Sequence, residues 1–333
     1  MQPVPTEVSA PPAMDPAALA DWLRAQDLEV RGPLRLARLG DGRSNLTYAV
    51  TDEAGRRWVA RRPPLGELLA SAHDVAREGY VLAALRSTDV PVPAIIGLCE
   101  DERVAAAPVL VMTMVDGATA AEPADRADLG APVRHEIGRS AAATLAAVHD
   151  VDVAAVELDG LSSRAPYAPR QLRRWTRQWE ESRLRDLPAL DRLTGWLQAN
   201  LPVQRETRLL HGDYHLGNLL VDRSSGRLCA VLDWELSTLG DPLADVGSML
   251  GYWPDPDPAS DAGLPDRRAM AELYARASGR DLADLTYWYV LGLWKIAIIA
   301  EGIRRRAGAA SPLSAEFVET TVERAHAATS TGI

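Results

Sequence analysis

Apolar and polar positions change period about a third of the way along the 333-residue chain, from short alternating runs to helical spacing. Residues 1–14, rich in Pro and Ala, read as a disordered lead. Asp15 is placed as an N-cap with Pro16 at the first helical position, opening a helix through Leu19, Trp22 and Leu23. Past Gly32-Pro33 the texture is strand-like. Leu34 to Leu39 runs into Gly40-Asp41-Gly42, Asn45 to Thr51 alternates, and after a turn at Glu53 to Gly55 a third strand covers Trp58 to Arg61. A helix follows over Ala72 to Leu85, with Val75, Val81, Leu82 and Leu85 on its apolar face. Two further strands, Ala94 to Cys99 and Val109 to Met114, end at Asp116-Gly117.

From there the pattern is helical: Val133 to His149, then one long Arg- and Trp-rich stretch from Gln171 to Asn200, then most of the chain to Ala328. Two short strands interrupt it, Asn218 to Val221 and Leu228 to Leu232, joined by a turn at Asp222 to Gly226. The pattern predicts an α+β protein of two lobes: a β-rich N-lobe over 15–115 and a larger helical C-lobe over 116–333.

Composition narrows the function classes. With 36 Lys+Arg against 46 Asp+Glu the net charge is −10, which argues against a nucleic-acid or anionic-membrane binder. Cys99 and Cys229 form no C-x-x-C pair, so neither a disulfide framework nor a zinc ribbon follows. The longest apolar run, Tyr287 to Ala300, is about 14 residues, short of the roughly 20 a spanning helix needs. With no secretory signal legible at the N-terminus, a cytoplasmic protein is expected. The oligomeric state is not legible. A single lysine, Lys295, occurs among the 36 basic residues; it reads as snorkelling from an apolar helix.

The chemistry concentrates in His211-Gly212-Asp213-Tyr214-His215-Leu216-Gly217-Asn218, followed by Asp233-Trp234-Glu235. A hairpin between them would bring Asp213, Asn218 and Asp233 to one end. Two carboxylates and an amide carbonyl are hard oxygen donors of the kind Mg²⁺ accepts together with phosphate oxygens. The remaining carboxylate can orient a hydroxyl and take its proton. The spacing Asp–x₄–Asn before a metal-binding Asp is that of kinases. The first half supplies the other parts in order. Gly42, Ser44 and Asn45 lie in a glycine loop suited to phosphate, and Arg61 ends the third strand. Glu78 on the next helix can pair with Arg61, while Met112 and Met114 flank the strand end where backbone meets an adenine edge.

The H-G-D-x-x-x-x-N segment, Val231 to Leu236 and Gly240-Asp241-Pro242-Leu243-Ala244-Asp245 resemble the aminoglycoside phosphotransferase family. Gly42 to Tyr48, Arg61-Arg62-Pro63-Pro64, Leu68 to His73 and Asp89 to Pro93 resemble the branch of kinase-like domains found with acyl-CoA dehydrogenases. The resemblance spans about residues 15–325. It implies a bilobal protein-kinase-like fold and transfer of the γ-phosphoryl of ATP or GTP to a small-molecule hydroxyl. The acceptor stays open between an aminoglycoside-like antibiotic, a hydroxyacyl-CoA and another metabolite. By the same resemblance Asp213 is the catalytic base, Asn218 and Asp233 hold Mg²⁺, and Arg61 with Glu78 anchors phosphate. Asp241 and Asp245 read as helix caps and loop braces, and Trp175 and Trp179 as core. Two rival readings are a nucleotide-binding pseudokinase acting as a regulatory module and a metal-dependent hydrolase using His211, Asp213 and His215.

Overall fold

A computed structural model describes residues 14–40, 45–64, 75–163, 165–257 and 261–333. Gly42 and Ser44 of the expected phosphate loop, and the Leu68 to His73 segment, lie outside the described residues. The chain divides into two units. One runs to Asp116 and takes back Ala230–Glu235; the other comprises Gly117–Cys229 and Leu236–Ile333.

The first unit opens with helix α1 (Pro16–Ala25), where the Asp15 carboxylate accepts from the N–H groups of Ala17 and Ala18 as the cap pattern requires. Strands β1 (Arg35–Leu39), β2 (Leu46–Thr51) and β3 (Arg57–Arg62) follow. Then come α2 (Val75–Leu85), β4 (Ile95–Cys99) and β5 (Val109–Thr113). The strands form an antiparallel sheet in the order β1-β2-β3-β5-β4. Leu19 and Leu23 of α1 pack with Val50, Ala60, Val109 and Val111 as its core. The register sets Thr47 opposite Arg61 and Arg61 opposite Leu110, so Arg61 stands near the end of a central strand. The returning segment is tied in by the Val231 N–H, which donates to Pro91 O at 2.8 Å.

In the second unit come the short α3 (Pro123–Arg126), α4 (Ala131–Asp150), α5 (Tyr167–Ser182) and α6 (Pro188–Ala199). The single helix expected from Gln171 to Asn200 is therefore two. Pro188 cannot sit inside a helix without losing a hydrogen bond, and it starts α6 instead at the first helical position. Strand β6 (Arg208–Leu210) precedes the H-G-D segment and pairs antiparallel with β9 (Thr238–Gly240). Between them lie the hairpin strands β7 (Leu219–Val221) and β8 (Leu228–Val231), the second of which carries the chain back to the first unit. Helices α7 (Leu243–Tyr252), α8 (Arg267–Ser278), α9 (Leu285–Ala307) and α10 (Ala315–Thr331) complete the unit. Helices α7 and α9 meet backbone to backbone: a Cβ on Gly247 would fall 2.3 Å from Trp288 O. Among the described residues no helix is long and apolar enough to cross a membrane.

Candidate active site

In the second unit the H-G-D segment turns sharply after β6. Gly212 has φ +88°, and a Cβ there would lie 2.5 Å from Leu236 O, so both conformation and space demand glycine. Asp245, buried on α7, accepts the N–H of His211 at 2.6 Å and of Gly212 at 2.9 Å. Behind it stands His149, whose Nε2 is 3.4 Å from the same carboxylate and whose Nδ1 is 2.7 Å from the Tyr274 hydroxyl. Burial pushes the Asp245 carboxyl up, but His149, His211 and the Gly212 N–H outweigh it and hold it below its ordinary value. Asp245 thus braces the loop, and His149 and Tyr274 extend the brace. The sequence reading had no signal for those two, since the three residues come from α7, α4 and α8.

The brace leaves Asp213 at the turn. Its backbone N–H donates to His211 Nδ1 at 3.2 Å, and Tyr214 is anchored by its hydroxyl to Ala141 O at 2.8 Å. His215 Nδ1 accepts the Gly217 N–H at 3.1 Å, which puts its proton on Nε2, 3.5 Å from Asp213 Oδ2. Asn218 donates its amide N–H₂ to Asp213 O at 2.9 Å and to Asp213 Oδ2 at 3.3 Å. With the nitrogen so committed, the Asn218 carbonyl oxygen is the atom left for a ligand. Burial raises the Asp213 carboxyl, yet His215, His211 and Lys295 outweigh it, so Asp213 is ionised throughout the neutral range.

In the first unit Arg61 carries three carboxylates. Its Nε is 3.0 Å from Glu78 Oε2, and its NH2 is 2.5 Å from Asp233 Oδ1 and 3.6 Å from Glu235 Oε2. The expected Arg61–Glu78 pair is present at ion-pair distance, but the Nε–H does not aim at the carboxylate, and among the described residues neither atom finds another hydrogen-bond partner. The better-formed contact is to Asp233. Asn45 Nδ2 donates to Glu235 Oε2 at 2.7 Å, and its own buried Oδ1 has no partner among the described residues. Asp233 has φ +66°, uncommon for any residue but glycine, and Trp234, fully buried with its Nε1 donating to Val231 O at 3.0 Å, fixes Asp233 and Glu235 on either side. Burial pushes Glu78 up to about 7, with Arg61 opposing and the charges of Asp233 and Glu235 adding to the rise. Met112 is buried inside the ladder, opposite Val59 and Ile95, whereas Met114 is the first residue past Thr113, where β5 ends. Glu235, which the sequence reading quoted without a role, is the residue it missed here.

Each unit carries a hard oxygen donor of the class Mg²⁺ takes: in the second, the Asn218 amide oxygen, its nitrogen being committed to Asp213, and in the first, the Asp233 carboxylate beside Arg61. A zinc cluster is not formed: His211 and His215 each accept a loop N–H, and no group of three His, Cys, Asp or Glu among the described residues is placed to share a metal ion. Lys295 keeps part of its surface, and its ammonium lies 5.6 Å from the centre of the Trp175 ring, with the charges of Asp213 and Asp245 favouring its ionised form. Helices α5 and α9 pack together, and Trp175 is half-buried there, its Nε1 donating to Gln171 Oε1 at 3.0 Å. Trp179 is buried as expected, and Trp288 and Trp294 of α9 are buried as well.

The model of the phosphotransferase enzyme family matches residues 35–285. Mouse acyl-CoA dehydrogenase family member 10 is 35% identical over 299 residues, covering 86% of this chain, and the chain spans only 28% of that relative's length. A Ralstonia eutropha protein solved as a candidate aminoglycoside phosphotransferase superposes with a TM-score of 0.78 at 32% identity, covering 96% of this chain and 97% of its own. The fold also matches that of a thermostable aminoglycoside phosphotransferase mutant in ternary complex with ADP and hygromycin B, with a TM-score of 0.64 at 16% identity, over 95% of this chain and 99% of that one.

Proposed function

Because this chain belongs to the phosphotransferase enzyme family, we propose that it transfers the γ-phosphoryl of ATP to a hydroxyl of a small molecule. The observation that carries this reading is the Asp213–Asn218 pair. An ionised carboxylate stands at the apex of a doubly braced turn, and the neighbouring amide is locked by its nitrogen, its oxygen meeting no donor among the described residues.

Asp213 accepts the hydrogen bond of the acceptor hydroxyl and so points an oxygen lone pair at phosphorus. Its low pKa suits a transition state in which bond breaking to the leaving group runs ahead of attack, so the proton moves late. Asn218 Oδ1 and the Asp233 carboxylate would hold Mg²⁺, which would supply positive charge against the charge that develops on the phosphate. Arg61, with a planar fork of donors, turns from Asp233 towards phosphate oxygen, while Glu78 keeps the guanidinium at the strand end. Asn45 fixes Glu235, which in turn limits where Arg61 can go.

The test is transfer to a panel of hydroxyl compounds, read as a mass gain of one phosphoryl group with matching ADP release. Asp213→Asn should lower kcat by about a thousandfold, since a positioned base contributes on the order of 10²–10⁴. Equal nucleotide consumption by wild type and variant across the panel would sink the mechanism. Saturable ATP binding with no transfer to any acceptor would favour the pseudokinase reading instead.

A further inference from the structure

Lys295 is the only lysine of the chain, and neither the donor-binding residues nor the loop brace uses it. It stands on α9 between the buried Trp294 and Ile296 yet keeps part of its own surface. Its Nζ is 5.6 Å from the centre of the Trp175 ring, and the guanidinium of Arg174 is 5.5 Å from the same centre. Among the described residues, no carboxylate lies within ion-pair distance of either cation and no acceptor within hydrogen-bond distance. Arg170, one turn away, is by contrast engaged with Leu239 O at 2.7 Å. Burial lowers the Lys295 pKa; Asp213 and Asp245 support the charge from further off, and Arg174 opposes it.

Lys295 is half-buried and Arg174 exposed beside the same indole, and the two like charges oppose each other instead of balancing. Both belong to the same unit as Asp213, and Lys295 and Asp213 act on each other through space. We propose that Lys295 and Arg174 form the seat for an anionic group, a carboxylate or a phosphate, carried by the acceptor close to the hydroxyl that Asp213 engages. The inference rests on the phosphotransferase reading and narrows its acceptor. It also runs against the chain's global charge of −10, which would draw cations: the local field near Lys295 selects the opposite sign. Lys295 and Arg174 are then specificity-determining residues, and a cationic acceptor is disfavoured by repulsion.

The full chain is assayed with two anionic hydroxyl probes, glycerol 3-phosphate and 3-hydroxybutyrate, which separate phosphate from carboxylate. Their neutral counterparts are glycerol and 3-hydroxybutyramide, and ethanolamine is the cation. Calorimetric binding is measured alongside phosphoryl transfer. At least one anion should bind wild type about tenfold tighter than its neutral counterpart, a preference worth about 1.4 kcal/mol. Lys295→Met should erase that preference, Lys295→Arg should keep most of it, and Arg174→Met should weaken it by less. Where transfer occurs, the Lys295→Met loss should fall on the KM of the anion far more than on kcat. Equal binding of anions and neutrals by wild type, tighter binding of ethanolamine, or equal loss of anion and neutral binding in Lys295→Met would each overturn the seat. Lys295-dependent anion binding with no transfer to any compound of the broad hydroxyl panel sinks the phosphotransferase reading and leaves the seat standing.

Discussion

The Arg61 cluster and the H-G-D turn hold their functional atoms by opposite means. Around Arg61, charge is held by charge: one guanidinium faces Glu78, Asp233 and Glu235, and an unsatisfied amide oxygen and misaligned ion pair remain in the buried surroundings. Around Asp213, position is held by backbone: Asp245 takes two successive loop N–H groups, and His211 and His215 each take one more. The first arrangement is a loaded electrostatic site that a polyanion can rearrange, since phosphate oxygens can replace a carboxylate on arginine. The second is rigid, and it presents Asp213 and the Asn218 oxygen without needing a partner charge. A donor site benefits from the first property and a base from the second.

Each side of this contrast can be broken separately. Below the loss expected for Asp213→Asn, Arg61→Ala should have the larger effect of the two breaks, lowering kcat/KM for ATP by about a hundredfold, because the cluster then carries three acids and no cation; removing one positioned electrostatic group commonly has that effect. Arg61→Lys should recover part of it, and steady-state kinetics with ATP as the varied substrate reads both. Asp245→Asn should act on the other side. One of its two backbone N–H partners would face an amide N–H₂, so kcat should drop about tenfold through a misplaced Asp213, with the KM for ATP little changed. If the KM for ATP moves more than kcat, the brace has been assigned to the wrong partner.

The smallest effect is a pH profile. Glu78 titrates at about 7, so lowering the pH from about 8 to about 6 discharges the acid paired with Arg61. The KM for ATP should rise a few-fold over that range, and Glu78→Gln should flatten the profile. Stability responds with the opposite sense. The fold holds this proton more tightly than the unfolded chain, whose carboxyl titrates near 4.5, so stability from this group is fully present below about 4.5 and is lost as pH rises through about 7. Thermal melts of wild type and Glu78→Gln across that window check the sign.

The sheet and the catalytic turn were readable from sequence because each is written locally. Alternation marked the five strands of the first unit, Asp15 and Pro16 marked the first helix, and the Asp213–Asn218 spacing is closed within a few residues. What the sequence did not show depends on distant pairing. Strands β6 and β9 are three residues each, too short for a period, and exist because Arg208 finds Gly240. Glu235 acquires its role only when the returning segment meets Arg61 and Asn45, and His149 with Tyr274 only when α4, α7 and α8 meet. The neighbour of Lys295 was hidden for the same reason: only the packing of α5 against α9 brings the Trp175 ring to its ammonium.

The return of Ala230–Glu235 to the first unit also sets an order of events during synthesis. Arg61 and Glu78 leave the ribosome long before Asp233, which lies 172 residues after Arg61. For that interval the N-terminal segment holds all five strands and Glu78 but lacks its last counter-charges, and the rest of the guanidinium must be met by solvent or a bound anion. The electrostatic site therefore closes only after most of the chain has been made, by a contact of high sequence separation that forms late because of the loop it must close. A fragment ending at Asp116 would carry the sheet intact and the site unfinished.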